Sequence, residues 1–258
     1  MKAILFDLDE TLILDEPISH AAFAAAADLA ASTGADVNRL AADAGANARR
    51  RWAEGPFYDY TLRIGHSAWE GLAARYDVGA HLAIAGLRQW APGYRLAVWQ
   101  EALGAQGVTD AALPALMAAK YFETRRRYPL YPEINALLAH LEGEGYRLGI
   151  VTNGVPDLQR EKLAGCGVAT LFHASVVSGE IDCGKPDPGI FRHICHDLGV
   201  EPRDCVMVGD NPERDVAGAI AAGMKSVWVQ RNGRPRDARF PADLECDNLD
   251  RMVTWLKE

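Results

Sequence analysis

The sequence predicts an α/β fold in which helices cover both faces of a parallel sheet. Residues 3–6 form a short apolar run, and similar runs alternate with helical patterns from residue 128 onwards. Apolar runs of this length without polar alternation are typical of strands that are buried on both faces. Alternation of strands and helices favours parallel pairing, because each helix returns the chain to the same edge of the sheet. We therefore predict a Rossmann-like parallel core with three α/β/α layers.

The segment between the first strand and the rest of this core has a different character. Residues 16–127 are rich in Ala, Leu and Arg, and they contain no convincing β-branched strand. The first strand is too short to be stable alone, so it must join the later sheet. We therefore predict an α/β core of residues 1–15 and 128–258, with an all-helical cap of residues 16–127 inserted after the first strand.

Helical periodicity and stop residues divide this cap into six predicted helices. Asp36 is a candidate N-cap, and Gly34 and Gly107 are candidate helix ends. The predicted cap helices are Ile18–Thr33, Val37–Ala53, Tyr58–Tyr76, Gly79–Trp90, Tyr94–Ala105 and Asp110–Arg126.

The core contains five predicted strands, of which the first is Ala3–Phe6. The other strands are Arg147–Val151, Ala174–Val177, Cys205–Val208 and Ser226–Val229. The helices of the core are Ile134–Gly143, Val155–Leu163, Pro188–Leu198, Glu213–Ala222 and Leu249–Leu256. Ligands of open α/β sheets bind at the carboxyl ends of the strands, so the residues that follow these strands are candidate functional residues.

Composition narrows the class of protein. The chain has 258 residues and a hydrophobic content of 49%, which is enough to build a core without disulfides. The formal net charge of −8 argues against nucleic acid or an anionic membrane as the main partner. We expect no signal peptide and no membrane span. Five scattered cysteines without a C-x-x-C motif indicate reduced thiols and a cytoplasmic location.

Polar residues follow three of the predicted strands. They are Asp7 and Asp9 after the first strand, Thr152 and Asn153 after Arg147–Val151, and Asp210 and Asp215 after Cys205–Val208. A single cation, Lys185, lies between them in a proline-bracketed loop. Grouped carboxylates repel one another and resist desolvation, so we expect a bound cation. Mg²⁺ is the usual choice where carboxylates meet a phosphate.

The remaining groups suit a phosphoryl ligand. Thr152 offers a hydroxyl donor, and Gly154 lets backbone N–H groups approach an anion at the start of a helix. Lys185 adds positive charge. Donors and positive charge beside a carboxylate nucleophile are what the equatorial oxygens of a phosphoryl group require in the transition state.

Four motifs, in this order, resemble those of the haloacid dehalogenase superfamily. They are Asp7-Leu-Asp9-Glu-Thr11, Val151-Thr-Asn-Gly154, Gly184-Lys-Pro-Asp-Pro188 and Gly209-Asp210-x-x-x-x-Asp215. The resemblance covers the predicted core, whereas the cap matches in position and size only. The segments 151–162 and 207–215 are most similar to the branch that contains N-acylneuraminate-9-phosphatase and pyrimidine 5′-nucleotidases.

The resemblance implies a role for each motif residue. Asp7 would be the nucleophile that forms an aspartyl-phosphate, and Asp9 would act as general acid and then as general base. The ligands of Mg²⁺ would be Asp7, the backbone carbonyl of Asp9, and Asp210, with Asp215 as a supporting residue. The residues that bind the phosphoryl oxygens would be Thr152, Asn153 and Lys185.

The predicted function is therefore Mg²⁺-dependent hydrolysis of a small phosphorylated metabolite. Members that attack carbon lack an acid at the position of Asp9, because a departing halide needs no proton; Asp9 thus favours a phosphatase. Other chemistry of the superfamily remains open, namely phosphomutase, phosphonatase or dehalogenase activity. A non-catalytic binding module on the same fold is a further alternative. The substrate and the oligomeric state are not predicted.

Several other signals in the sequence have simpler interpretations. The basic run at 49–51 is interpreted chiefly as a solvated helix face, and the run at 125–127 as hinge surface where the cap returns to the core. Tyr58, Tyr60 and His66 are the candidates for substrate recognition in the cap. The segment His193-x-Cys195-His196 lacks an evident fourth ligand, so we do not expect a zinc site there.

Overall fold

The computed structural model describes residues 1–231 and 239–257, and one sheet of six strands lies at its centre. The strands are Ala3–Phe6 (β1), Arg147–Thr152 (β2), Ala174–Val177 (β3), Cys205–Gly209 (β4), Lys225–Val229 (β5) and Leu244–Cys246 (β6). They pair in the order β3-β2-β1-β4-β5-β6, and all pairs are parallel. The predicted parallel α/β fold is therefore confirmed. Strand β6 was missed, because it has only three residues and only Cys246 among them is buried.

Twelve α-helices occur in the described part of the chain, and six of them lie between residues 15 and 124. These are Asp15–Ala27 (α1), Val37–Ala53 (α2), Tyr58–Arg63 (α3), Ala68–Gly71 (α4), Leu82–Gly104 (α5) and Leu113–Thr124 (α6). The others are Ile134–Gly143 (α7), Pro156–Gly165 (α8), Ser178–Ile181 (α9), Pro188–Leu198 (α10), Ala217–Ala222 (α11) and Asp250–Trp255 (α12). None of the described helices combines the length and the apolarity that crossing a bilayer requires.

Strand β1 lies in the middle of the sheet and is fully buried. Ile4 and Phe6 pack into the layer that contains α7 and α12, whereas Ala3 and Leu5 pack into the layer that contains α10 and α11. Burial on both faces explains why the strand shows no polar alternation. Phe6 is paired with Ile150 of β2 on one side and with Val208 of β4 on the other, so the three strands end within about two residues of one another.

Helices α1 to α6 share a hydrophobic cluster of their own. Phe23, Trp99 and Tyr121 lie in it, and Val155 and Leu158 at the start of α8 belong to the same cluster. The cap segment therefore packs directly on the core next to the carboxyl edge of the sheet. This packing is compatible with the predicted division at residues 15/16 and 127/128, which we retain as a proposal.

One predicted cap helix, Tyr58–Tyr76, is wrong as a continuous element. The chain breaks it into α3 and α4, and Gly65 between them has a φ of +69°. A Cβ atom at Gly65 would lie 2.5 Å from Asn153 Nδ2, so this glycine allows the cap loop to touch the core. Ser67 then starts α4 with a capping box that includes Glu70.

The boundaries of the other cap helices are closer to the predicted ones. The two helices predicted on either side of residues 91–93 form one helix, α5, with Pro92 inside it. Burial of Leu87, Ala91 and Val98 in the cap cluster outweighs the hydrogen bond that the proline removes. Helix α2 has the predicted bounds, and the Asp36 side chain accepts hydrogen bonds from two backbone N–H groups of its first turn.

Candidate active site

Three carboxylates and one ammonium group meet at the carboxyl edge of the sheet. Asp7 directly follows β1, Asp210 follows β4, and Asp215 lies in the π-helical turn Pro212–Val216. Carboxylate oxygens of the three residues lie within 4.8 Å of one another. Lys185 Nζ lies 2.7 Å from Asp7 Oδ1 and 2.7 Å from Asp215 Oδ1. The structure thus brings together residues that are up to 208 positions apart in the sequence.

The local sequence explains how Asp215 reaches this cluster. A Cβ atom at Gly209 would lie 2.2 Å from Asp215 Cγ, so only glycine lets this carboxylate lie against the end of β4. Asp215 Oδ2 accepts a hydrogen bond of 3.0 Å from the backbone N–H of Asn211. The Asn211 side chain in turn caps the π-helical turn by accepting from the N–H groups of Glu213 and Arg214.

Negative charge exceeds positive charge in this buried cluster. Burial raises the pKa of Asp7 to about 6, with Lys185 opposing and Asp215 adding to the rise. Burial disfavours the charged form of Lys185, but Asp215 and Asp7 raise its pKa, so the ammonium group stays charged. The carboxylate oxygens that lie together beside the Lys185 ammonium group form a donor set that fits a hard divalent metal ion.

Thr152 and Asn153 follow β2 and face the same edge. The Thr152 side chain is buried, and its hydroxyl has no hydrogen-bond partner among the described residues. Burial of a hydroxyl without a hydrogen-bond partner costs free energy unless a bound ligand supplies that partner. Asn153 Nδ2 donates to the Lys185 carbonyl at 3.0 Å, and its Oδ1 accepts from the Lys185 N–H at 2.8 Å. Asn153 therefore holds the loop that carries Lys185, and direct binding of phosphate by Asn153 stays a prediction.

Asp9 lies beside a lysine that sequence reasoning missed. Lys162 Nζ is 2.8 Å from Asp9 Oδ1 and 2.9 Å from Oδ2, and Gln159 Nε2 donates to Oδ2 at 3.0 Å. Burial raises the pKa of Asp9 to about 8; Lys162 opposes the rise, whereas the negative charges of Asp15 and Glu70 add to it. The Lys162 side chain has no solvent exposure.

Lys162 also binds two further carboxylates. Its Nζ lies 2.9 Å from Glu70 Oε1 and 3.1 Å from Asp15 Oδ1, and Asp15 accepts a 2.9 Å hydrogen bond from Arg125 Nη2. The prediction that Arg125 belongs to the hinge surface is therefore wrong, since its side chain is buried against Asp15. One signal was available: Gln159 and Lys162 are three residues apart on α8 and so share one helix face.

A cavity of about 180 Å³ lies over these groups. Its core side includes Asp7, Asp9, Asn153, Lys185 and Asp210, and its cap side includes Gly65, Ser67 and Glu70. A second cavity of about 280 Å³ shares Gly65, Ser67 and Arg214 with the first. The residues that line the second cavity but not the first include Arg49, Trp52, Tyr58 and His66, and no carboxylate among the described residues lines the second cavity.

Of the three cap residues predicted to recognise the substrate, two line the second cavity and one does not. Tyr58 and His66 line the second cavity, whereas Tyr60 does not line it and stacks on His81 at a ring distance of 4.3 Å. The His66 side chain is itself buried, and its Nε2 is 3.0 Å from the Tyr76 hydroxyl. Tyr58 thus keeps the stronger case for contacting a ligand.

The family model described as haloacid dehalogenase-like hydrolase matches residues 1–223. The chain belongs to the haloacid dehalogenase-like hydrolase family.

Relatives within the haloacid dehalogenase-like family are named phosphatases. The chain is 45% identical over 249 residues to phosphoserine phosphatase of Thermus thermophilus, and the match covers 96% of each sequence. It is 41% identical over 144 residues to human N-acylneuraminate-9-phosphatase, covering 54% of this chain and 57% of the relative. The crystal structure of a phosphatase of this family from Thermococcus onnurineus has a TM-score of 0.60 at 28% identity, with coverage of 99% and 98%. These relatives confirm the predicted family and its phosphatase branch.

Proposed function

We propose that the protein hydrolyses a small phosphomonoester through an aspartyl-phosphate on Asp7, with Mg²⁺ as its cofactor. The observation that carries this proposal is the convergence of Asp7, Asp210 and Asp215 with Lys185 in one buried cluster. Its position at the carboxyl edge, beneath a cap loop, is where a family hydrolase would bind its substrate.

The chemistry takes two steps. A carboxylate oxygen of Asp7 attacks phosphorus, the bond from phosphorus to the ester oxygen breaks, and Asp9 gives a proton to the departing alkoxide. Asp9 then takes a proton from a water molecule, and the oxygen of that water attacks the phosphorus of the aspartyl-phosphate. Inorganic phosphate leaves, and the Asp7 carboxylate is regenerated.

Other residues of the site would hold the cofactor and the phosphoryl group. Mg²⁺ would be held by the side chains of Asp7 and Asp210 and the backbone carbonyl of Asp9, with Asp215 in support. Bound Mg²⁺ would neutralise carboxylates and draw charge from phosphoryl oxygens. Thr152 has a free buried hydroxyl for a phosphoryl oxygen, and Lys185, held by Asn153, supplies positive charge.

The rest of the substrate would occupy the second cavity, because that cavity adjoins the first at Gly65, Ser67 and Arg214. Arg214 and Arg49 line it, and neither forms an ion pair with a described residue. Guanidinium groups bind carboxylates well. We therefore favour phosphorylated carboxylic acids as substrates. Phosphoserine is the first to test, since a relative that is 45% identical is named for it.

The cellular setting and the two-domain organisation stay proposals. All five cysteines are free thiols, which supports a cytoplasmic location. The shared cluster of α1 to α6 supports residues 16–127 as a cap over a core of residues 1–15 and 128–258.

Release of inorganic phosphate tests the function directly. We expect steady release from O-phosphoserine in the presence of Mg²⁺, and loss of this release on addition of EDTA. Asp7→Asn removes the nucleophile and should lower kcat by at least about 10³-fold. Asp197→Asn, an exposed aspartate of α10, is the matched control and should keep full activity.

Three results would contradict the proposal. An unchanged rate in Asp7→Asn would refute the nucleophile. Transfer of phosphate between two positions of a substrate without net release would favour a phosphomutase, and no turnover of any phosphomonoester would favour a binding module.

A further inference from the structure

The buried ammonium group of Lys162 is shared by three carboxylates from three parts of the chain. Asp9 belongs to the loop after β1, Asp15 stands where the chain enters the cap at α1, and Glu70 lies on α4 of the cap. All three have an oxygen within 3.1 Å of Nζ. An ammonium group has three hydrogens, so three acceptors fix the position of its nitrogen.

Glu70 connects this cluster to the cap loop. Its Oε2 accepts from the Ser67 N–H at 2.9 Å, while its Oε1 faces Lys162 and Gln159 of the core, each at 2.9 Å. Burial would raise the pKa of Glu70, but Lys162 and then His66 lower it to about 2, so the carboxylate is charged. Glu70 can occupy this place only when the loop between α3 and α4 is seated on the core.

Gln159 and Lys162 together determine where the Asp9 carboxylate points. Lys162 binds both of its oxygens, and Gln159 binds one of them from the same face of α8. The Asp9 side chain is 25% exposed and borders the cavity over Asp7. Its remaining open side therefore faces the cavity that would hold the ester under the proposed function.

We propose that Lys162 and Glu70 are positioning residues, which aim Asp9 at the leaving oxygen when the cap loop is seated. This inference rests on the proposed function, because it concerns the proton that Asp9 transfers. It assigns a task to a buried cation that the phosphoryl site itself does not use. Closure of the cap and placement of the proton donor become one event.

The test uses substrates that differ in their need for a proton. An alkoxide, as from O-phosphoserine, leaves only when it is protonated, whereas p-nitrophenolate leaves with little help. Glu70→Gln is nearly isosteric and removes one of the three charges around Lys162. We expect it to lower kcat/KM for the alkyl ester by about 30-fold and for p-nitrophenyl phosphate by less than about 3-fold.

Glu161→Gln is the matched control. Glu161 lies on α8 and, like Glu70, takes part in a link between the core and the cap segment, through Arg75 at 3.0 Å and Arg126. Unlike Glu70, its carboxylate binds neither the Lys162 ammonium group nor Gln159. We expect this variant to change kcat/KM for the two esters by the same small factor. If Glu70→Gln fails to fold, Gln159→Met removes the second donor to Asp9 without a change of charge and should show the same split.

The outcomes separate the two proposals. A wild-type protein that releases no phosphate from either ester with Mg²⁺ would overturn the proposed function and this inference with it. An active wild type whose Glu70→Gln variant loses equal activity on both esters, or none, would overturn only the positioning role.

Discussion

His66 is a neutral imidazole enclosed by the cap. Its side chain has no solvent exposure, its Nε2 is hydrogen-bonded to the Tyr76 hydroxyl, and its ring packs edge-on against Trp52. Burial lowers the pKa of His66 from 6.5 to about 4, although Glu70 works in the opposite direction. The unfolded chain therefore binds a proton here below about pH 6.5, while the folded chain binds it only near pH 4.

This difference predicts a contribution of His66 to the acid sensitivity of folding. The contribution of His66 to the free energy of unfolding is fully present above pH 6.5. Up to about 3 kcal/mol of this free energy is lost as the pH falls to 4. Urea unfolding of the wild type and of His66→Asn at pH 7.5, 6, 5 and 4 measures it. We expect the difference in free energy of unfolding between them to shrink as the pH falls. The exposed His196→Asn should leave the pH dependence unchanged, and a constant difference for His66→Asn would contradict the assignment.

The loop between α3 and α4 lies against the core, and its Gly65 is packed against Asn153. Gly65→Ala strains a left-handed backbone by about 1–2 kcal/mol and forces the new methyl group against Asn153. Since Asn153 holds Lys185, we expect kcat/KM for phosphomonoesters to fall by at least about tenfold.

Gly34→Ala provides the control for this prediction. Gly34 also has a positive φ, +82°, but nothing lies within 4 Å of its added Cβ atom. Thermal unfolding and phosphate release should therefore separate the variants: both lose stability, and only Gly65→Ala loses activity. Equal activity in the two variants would show that contact with Asn153 does not matter.

Elements with local signals were predictable from the sequence. Four apolar residues before Asp7 predict strand β1, and the N-cap residue Asp36 predicts the start of α2. The break at Gly65 was not predictable, because its reason is a contact with Asn153, which lies 88 positions further along the chain. The predicted break between Trp90 and Tyr94 was likewise wrong, because packing of α5 in the cap cluster retains Pro92 inside one helix.

The same distinction applies to the candidate site. Asp7 and Asp210 meet because neighbouring parallel strands end at one level, which the motif order already implies. The group around Lys162 depends on the way the cap sits on the core. Glu70 and Lys162 are 92 positions apart, and neither belongs to a strand end, so only the folded structure relates them.

Across the whole molecule, an acidic chain must attract an anionic substrate. The net charge is −8, and six carboxylate residues line the cavity over Asp7, whereas the adjoining cavity is lined by Arg214 and Arg49. A substrate that carries a carboxylate besides its phosphate can place that group beside Arg214. The charge distribution thus orients the ester, with its phosphate toward Lys185 and its carboxylate away from the acids.

Arg214→Met tests this orientation with a matched pair of substrates. O-phosphoserine and O-phosphoethanolamine differ only by the carboxylate, and a charged hydrogen bond contributes about 1.5–3 kcal/mol. We expect the variant to lower kcat/KM for phosphoserine by about 10- to 100-fold and for phosphoethanolamine by less than about 3-fold. Arg50→Met, at an exposed arginine already paired with Glu54 and Glu101, should change neither value. Equal losses on the two esters in Arg214→Met would mean that Arg214 supports the site without reading the carboxylate, and the preferred substrate class would then be wrong.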